Sequence, residues 1–283
     1  MKLEAEIIYD SYLPDALQQA LDYAGDDGFV ASMPQLLHAR ANASYDNIIW
    51  NTWFTSNSEE SVLTTPQGQR VVVAVHGGGI FATPERFRKL FQADVSRFCD
   101  LGFTGLFAGK IIASEAHDML DGKLADGSEI PVFPFDEFKR GVHDLPHRYA
   151  IVIDFETARK SLNGYHGFDD LKDDPMMIVR AGGVDAAAAY LDKARNRRDT
   201  GVMGNWHPFN TINPEQAQTR VPILAGNEGG AGTEEDDGHL VGYDSEYGMG
   251  GDSSIHNSSM INIARYVAVA PRDVSTSVRY LPF

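Results

Sequence analysis

Apolar and polar positions in this chain switch repeatedly between a strand-like and a helix-like period. Val71-Val72-Val73-Ala74-Val75 is an unbroken apolar run, which predicts a strand buried on both faces. It breaks straight into His76-Gly77-Gly78-Gly79-Ile80-Phe81. Thr83, Pro84 and Glu85 then have the order of an N-cap, a first helical residue and a first-turn acid, so a helix is expected to start there. Phe103 to Ile112 predicts the next strand, and residues 71–112 together read as a βαβ unit. Further strands are expected at Tyr149–Ile153, Met176–Val179 and Val221–Leu224, and a helix from about Asp185 to Arg197. Such alternation implies an α/β fold with a mostly parallel or mixed sheet flanked by helices. Tyr266–Ala270 and Ser275–Tyr280, on either side of Pro271-Arg272-Asp273, predict a C-terminal strand pair at the sheet edge.

Residues 1–65 have a different texture. Short apolar pieces, Glu6–Tyr9 and Asn47–Trp50, flank an amphipathic stretch at Ala16–Tyr23, and a polar loop covers Thr55–Glu60. This part is expected to form an N-terminal arm or layer, with residues 66–283 as the α/β domain. Inside that domain, residues 225–259 form an acidic, glycine-rich loop carrying Glu228, Glu234, Glu235, Asp236, Asp237, Asp244, Glu246 and Asp252. Its spacing is not that of an EF-hand. A solvated loop or subunit-contact arm is the plainer expectation, and metal coordination the sharper one.

Charge and cysteine content narrow the classes. The formal net charge of −16 repels phosphate backbones, so nucleic acid is an unlikely partner. The cluster Lys193, Arg195, Arg197 and Arg198 fits the cationic end of a helix. Cys99 is the one cysteine of the 283 residues, which excludes an intrachain disulfide and a cysteine-based zinc site. No apolar run has the length of a membrane span and the N-terminus carries no apolar signal region, so no membrane partner and a cytoplasmic location are expected.

The histidine and three glycines are the most specific chemical signal. Consecutive glycines let bare backbone N–H groups approach a ligand and hold an oxyanion, phosphate or carboxylate, although they also serve as a plain strand-to-helix turn. Residues 71–112, on His76-Gly77-Gly78-Gly79-Ile80-Phe81, resemble the oxyanion-loop region of the hormone-sensitive-lipase branch of the α/β-hydrolases. That resemblance implies glycine N–H groups stabilising a tetrahedral oxyanion. The chain has no G-x-S-x-G; Gly251-Asp252-Ser253-Ser254-Ile255 lacks the closing glycine. A second segment, Ala150-Ile151-Val152-Ile153-Asp154-Phe155-Glu156-Thr157, resembles the first motif of DEDD exonucleases, which implies divalent metal on Asp154 and Glu156. His239 and Asp244 have the spacing of that family's last motif, while the plainer expectation for Asp154 and Glu156 is a strand end whose acids cap a helix starting at about Thr157. Among the other histidines, His143 and His147 are separated by Pro146, which breaks the helix their spacing would need.

The reading these residues favour is a metal-assisted hydrolase of a small molecule. Its catalytic set would be His76, Gly77, Gly78, Gly79 and Glu156. A divalent metal would be the cofactor, on ligands drawn from His76, Asp154, Glu156, His239 and Asp244, because parallel strands converge their carboxyl ends at one sheet edge. A homo-oligomer is expected. The alternatives are a self-assembling structural protein, such as a viral capsid or shell subunit, and a DEDD-type exonuclease.

Overall fold

The apolar run at 71–75 does become a central strand, and its neighbours define the molecule. In the computed structural model, residues 2–10, 13–79, 83–92, 108–142, 144–196, 202–206, 209, 212–224, 240–241 and 264–272 are described. Along the chain, β1 (Lys2–Asp10), α1 (Leu13–Ala24), β2 (Phe29–Val30), α2 (Met33–Asn42), α3 (Ile48–Asn51), β3 (Phe54–Thr55) and β4 (Ser58–Thr64) lead into β5 (Arg70–His76). There follow α4 (Pro84–Gln92), β6 (Ala108–Lys110), α5 (Ala113–Leu120), β7 (Val132–Pro134), α6 (Phe135–Lys139), β8 (Tyr149–Asp154) and α7 (Phe155–Arg159). The rest comprises β9 (Gly164–Gly167), α8 (Phe168–Lys172), α9 (Pro175–Ala181), α10 (Val184–Arg195), β10 (Val202–Trp206), β11 (Gln218–Arg220), β12 (Ile223–Leu224), β13 (Leu240–Val241) and β14 (Ala264–Arg272).

Helices and sheets are mixed, but the sheets are not the parallel kind expected. The described strands form three sheets, ordered β1-β14-β2, β3-β12-β13-β10-β9 and β6-β11-β4-β5-β8-β7. Only β7 with β8 and β10 with β13 run parallel among the paired described strands. β5 lies antiparallel between β4 and β8, with Val72 opposite both Val62 and Ile153. The expected βαβ unit is absent from this arrangement, because β6 sits three places from β5 and pairs antiparallel with β11. A buried apolar run marks a strand flanked on both sides but carries no direction, so the parallel assignment was an over-reading of one-dimensional pattern.

One expected strand is a helix. Met176–Val179 lies in α9, where Asp174 caps the N-terminus through Met177 N–H (2.8 Å), Pro175 takes the first turn and Gly182 closes the end at φ +87°. These end signals decide over the apolar run, whose residues Met176, Met177, Ile178 and Val179 are all buried and suit either state. The helix expected near 185–197 is α10, and the amphipathic stretch at 16–23 is α1, whose Ala16, Leu17, Ala20 and Ala24 pack on Ala264, Tyr266 and Ala268 of β14.

Residues 1–65 supply strands to all three sheets. β1 pairs with β14 over nine residues, from Lys2 opposite Arg272 to Asp10 opposite Ala264. Tyr266–Ala270 therefore is a strand, and its partners are β1 and β2. Ser275–Tyr280 lies outside the described residues. No described helix is long and apolar enough to cross a membrane.

Candidate functional site

β5 delivers His76 to the sheet end fully buried, at 2% exposure. Ser58, opposite it on β4, accepts a hydrogen bond from Met33 N–H (2.8 Å), so its own hydroxyl proton is directed at His76 Nδ1 (2.9 Å). Val179 O can only accept, so His76 Nε2 carries the ring proton and donates it at 3.0 Å. Burial lowers the His76 pKa to about 4, against the opposing pull of that carbonyl and of Glu60. His76 is thus a neutral imidazole with both nitrogens engaged. No lone pair is left for a metal or for general-base work.

The first two glycines that follow are equally committed. Gly77 and Gly78 N–H groups both donate to Asn57 O, at 2.8 and 3.1 Å, instead of facing a ligand. Gly77, Gly78 and Gly79 all have positive φ (84°, 141° and 128°), and a Cβ on Gly77 would lie 2.8 Å from His147 O. A Cβ on Gly79 would run into the Glu59 carboxylate. Close packing and backbone handedness explain the glycine run.

The carboxylates do not join this histidine. β5 and β8 are antiparallel, so His76 lies opposite Tyr149, whereas Asp154 lies opposite Val71 at the other end of the pair. Five residues of strand separate the two, about 17 Å at 3.4 Å per residue. Asp154 caps α7, accepting from Thr157 N–H at 3.0 Å, and Glu156 is exposed and ion-paired with Arg159 at 2.5 Å. His239 and Asp244 lie outside the described residues, as do His143 and Ser253. Among the described residues no three of His, Cys, Asp or Glu come together as metal ligands. The expected metal-binding set is therefore corrected.

A different group dominates the interior. Glu60 of β4, fully buried, accepts from Arg180 Nε at 2.6 Å and Nη2 at 3.1 Å, and from Arg220 Nε at 3.0 Å and Nη2 at 2.6 Å. Burial alone would raise its pKa, but the two guanidiniums overrule that and hold it well below the carboxylate range. Arg180 Nη1 reaches on to Asn205 Oδ1 (2.7 Å), and Asn205 Nδ2 donates to Asp174 Oδ1 (3.2 Å). Asp174 also accepts from Leu162 and Met177 N–H groups. Its pKa is raised, with burial the main cause and these hydrogen bonds opposing it. Two carboxylates thus face two guanidiniums inside the protein.

This cluster ties together β4, β11, α9 and β10, elements as far as 160 residues apart in sequence. Sequence reasoning passed over Glu60, Arg180, Arg220, Asn205 and Asp174. One signal was available: Arg180 interrupts the apolar stretch Met176-Met177-Ile178-Val179-Arg180-Ala181, where a charge needs an internal partner.

The cluster's strands are neighbours of those that bracket the acidic segment in sequence. Arg220 ends β11, and β12 follows it directly. Asn205 of β10 lies opposite Leu240, and β12 pairs with β13 on the other side. In sequence, the polar stretches 225–239 and 242–263 fall between β12, which ends at Leu224, β13 at Leu240–Val241, and β14, which begins at Ala264. Together 225–263 contain eight carboxylates and no lysine or arginine, which is half of the formal charge of −16.

No protein-family model matches the sequence, and no curated protein matches it. The fold is similar to a solved structure from work on the accommodation of massive sequence variation in Nanoarchaeota by the C-type lectin fold. The similarity covers 95% of this chain and 98% of that one, at 20% identity and a TM-score of 0.63. This overturns the hydrolase reading: the scaffold is a C-type lectin fold and not an α/β-hydrolase sheet, and the N–H groups of Gly77 and Gly78 are both taken by Asn57 O. The same scaffold replaces the shell-subunit and DEDD-exonuclease alternatives, the latter also because Asp154 and Glu156 serve helix α7.

Proposed function

We propose that this chain is a recognition protein, a binder without turnover, whose C-type lectin scaffold holds residues 225–263 for contact with a basic protein surface. The observation carrying the proposal is the charge of those residues, eight carboxylates with no lysine or arginine. The strands that bracket them in sequence, β12 ending at Leu224, β13 at Leu240–Val241 and β14 starting at Ala264, belong to a scaffold in which Glu60, Arg180, Arg220, Asn205 and Asp174 form an internally bonded cluster. A scaffold that satisfies its own polar groups leaves the connecting stretches free to change composition without loss of the core. The similar structure's association with massive sequence variation supports the same division of labour between scaffold and variable positions. Eight carboxylates without a compensating cation attract lysine- and arginine-rich partners, speeding encounter and penalising acidic ones.

A random-peptide display library selected against the full chain tests this reading. The expected consensus is rich in Lys and Arg, and its binding weakens in high salt. Binding should also be lost when the eight carboxylates of 225–263 are changed to Asn and Gln, with the melting temperature kept. Selected peptides without basic character, or binding indifferent to those changes, would overturn it.

A further inference from the structure

Six strands stand at the edges of the described sheets: β1 and β2, β3 and β9, β6 and β7. Five of them are two to four residues long, a length that offers little template for pairing with another chain. β1 is the exception at nine residues, contains no proline, and keeps one side unpaired in the described sheet. Leu3 and Tyr9, near its two ends, are among the four exposed large hydrophobics of the described residues, at 49% and 53% exposure. Their even separation puts them on one face of the strand.

We propose that β1 pairs antiparallel with β1 of a second copy about a twofold axis through Glu6, joining two three-stranded sheets into one of six strands. Of the twofold registers, that one alone pairs all nine residues of β1. Centred on Glu6, Lys2 faces Asp10, Leu3 faces Tyr9, Glu4 faces Ile8 and Ala5 faces Ile7, each twice by symmetry. A centre at Ala5 would set Glu4 against Glu6 twice and leave Tyr9 and Asp10 beyond the pairing. A centre at Ile7 would set Glu4 against Asp10 twice and leave Lys2 and Leu3 over. The Glu6-centred register has one like-charge contact, between the two exposed Glu6 side chains on the axis. Tyr9 keeps Arg265 over its ring at 5.5 Å, and Asp10 keeps its bond from Gln19 at 2.8 Å. Main-chain hydrogen bonds along the edge supply the affinity, and the facing side chains select the register.

Sedimentation equilibrium on the full chain, over a wide concentration range, reads this out. A reversible dimer is expected. Leu3→Arg and Tyr9→Arg should each weaken it about tenfold, since every residue acts twice. Lys2→Asp and Asp10→Lys should each weaken it, and the two together should restore it. Glu6→Gln removes the one repulsive contact and should tighten the dimer several-fold, a gain that misfolding cannot imitate. A wild-type chain that stays monomeric at every concentration overturns the proposal. So does a dimer indifferent to both Leu3→Arg and Glu6→Gln.

Discussion

Glu60 and Arg220 lie directly opposite each other on the antiparallel strands β4 and β11, and the Arg220 guanidinium meets the Glu60 carboxylate at 2.6 and 3.0 Å. Neither group reaches water, so each depends on the other and on Arg180 for its charge. Glu60→Ala leaves two buried guanidiniums uncompensated and should cost about 3–5 kcal/mol, measured by urea unfolding at neutral pH. Because the Glu60 pKa is depressed on folding, its stabilisation is complete above its ordinary value of 4.5 and is lost as pH falls below that. The variant should therefore lose less stability than wild type between pH 5 and pH 3.

His76 acts in the same direction at a higher pH. Folding lowers its pKa from 6.5 to about 4, so the unfolded chain binds the extra proton first. Stability should decline as pH falls from 6.5 towards 4, by about 3 kcal/mol in total at 1.36 kcal/mol per unit. His76→Gln should flatten that slope while lowering stability at pH 7 by about 1–3 kcal/mol, since Ser58 and Val179 lose a matched partner. An unchanged slope in the variant would mean that His76 is not buried as a neutral ring.

Two glycines with the same handedness separate strain from crowding. Gly68 (φ +83°) has open space where a Cβ would sit, whereas Gly77 (φ +84°) has His147 O and Arg148 Cγ at 2.8 Å. Gly68→Ala should cost about 1 kcal/mol, from the left-handed backbone alone. Gly77→Ala should cost clearly more, because backbone must move as well. Equal thermal shifts for the two variants would contradict the packing described around Gly77.

Asp154 and Glu156 should part company when truncated. Asp154→Ala removes the cap of α7 and should cost about 1 kcal/mol. Glu156→Ala removes an exposed i,i+3 pair with Arg159 and should stay within about 0.5 kcal/mol. A shared metal would instead make both changes matter alike and make stability sensitive to chelation.

The elements that were legible from sequence are those whose cause is local. The β-branched run of β5, the amphipathic face of α1 and the alanine-rich α10 each follow from short-range period and were expected where they stand. Met176–Val179 was misread because an apolar run of four fits a buried strand or a buried helix, and Asp174-Pro175 with Gly182 decide it. Strand direction was not legible: nothing within 71–75 or 149–153 states that β5 and β8 are antiparallel. The proposed convergence of His76 with Asp154 fell with that assumption. The Glu60 cluster was illegible for a related reason, because Arg180 is 120 residues and Arg220 160 residues from Glu60, and no local pattern names the partner of a buried charge.

The pairing of β1 with β14 has a consequence for synthesis. Lys2 lies opposite Arg272, so β1 leaves the ribosome well before its partner β14, with all of the chain between Asp10 and Ala264 still to be made. At roughly 5–20 residues per second that wait lasts on the order of ten seconds or more. During it a nine-residue strand with the apolar residues Leu3, Ile7, Ile8 and Tyr9 lacks β14 beside it. Neighbouring nascent chains on one messenger would present the same strand at the same stage, so crowding of ribosomes should raise misassembly of this chain, and slower initiation should relieve it.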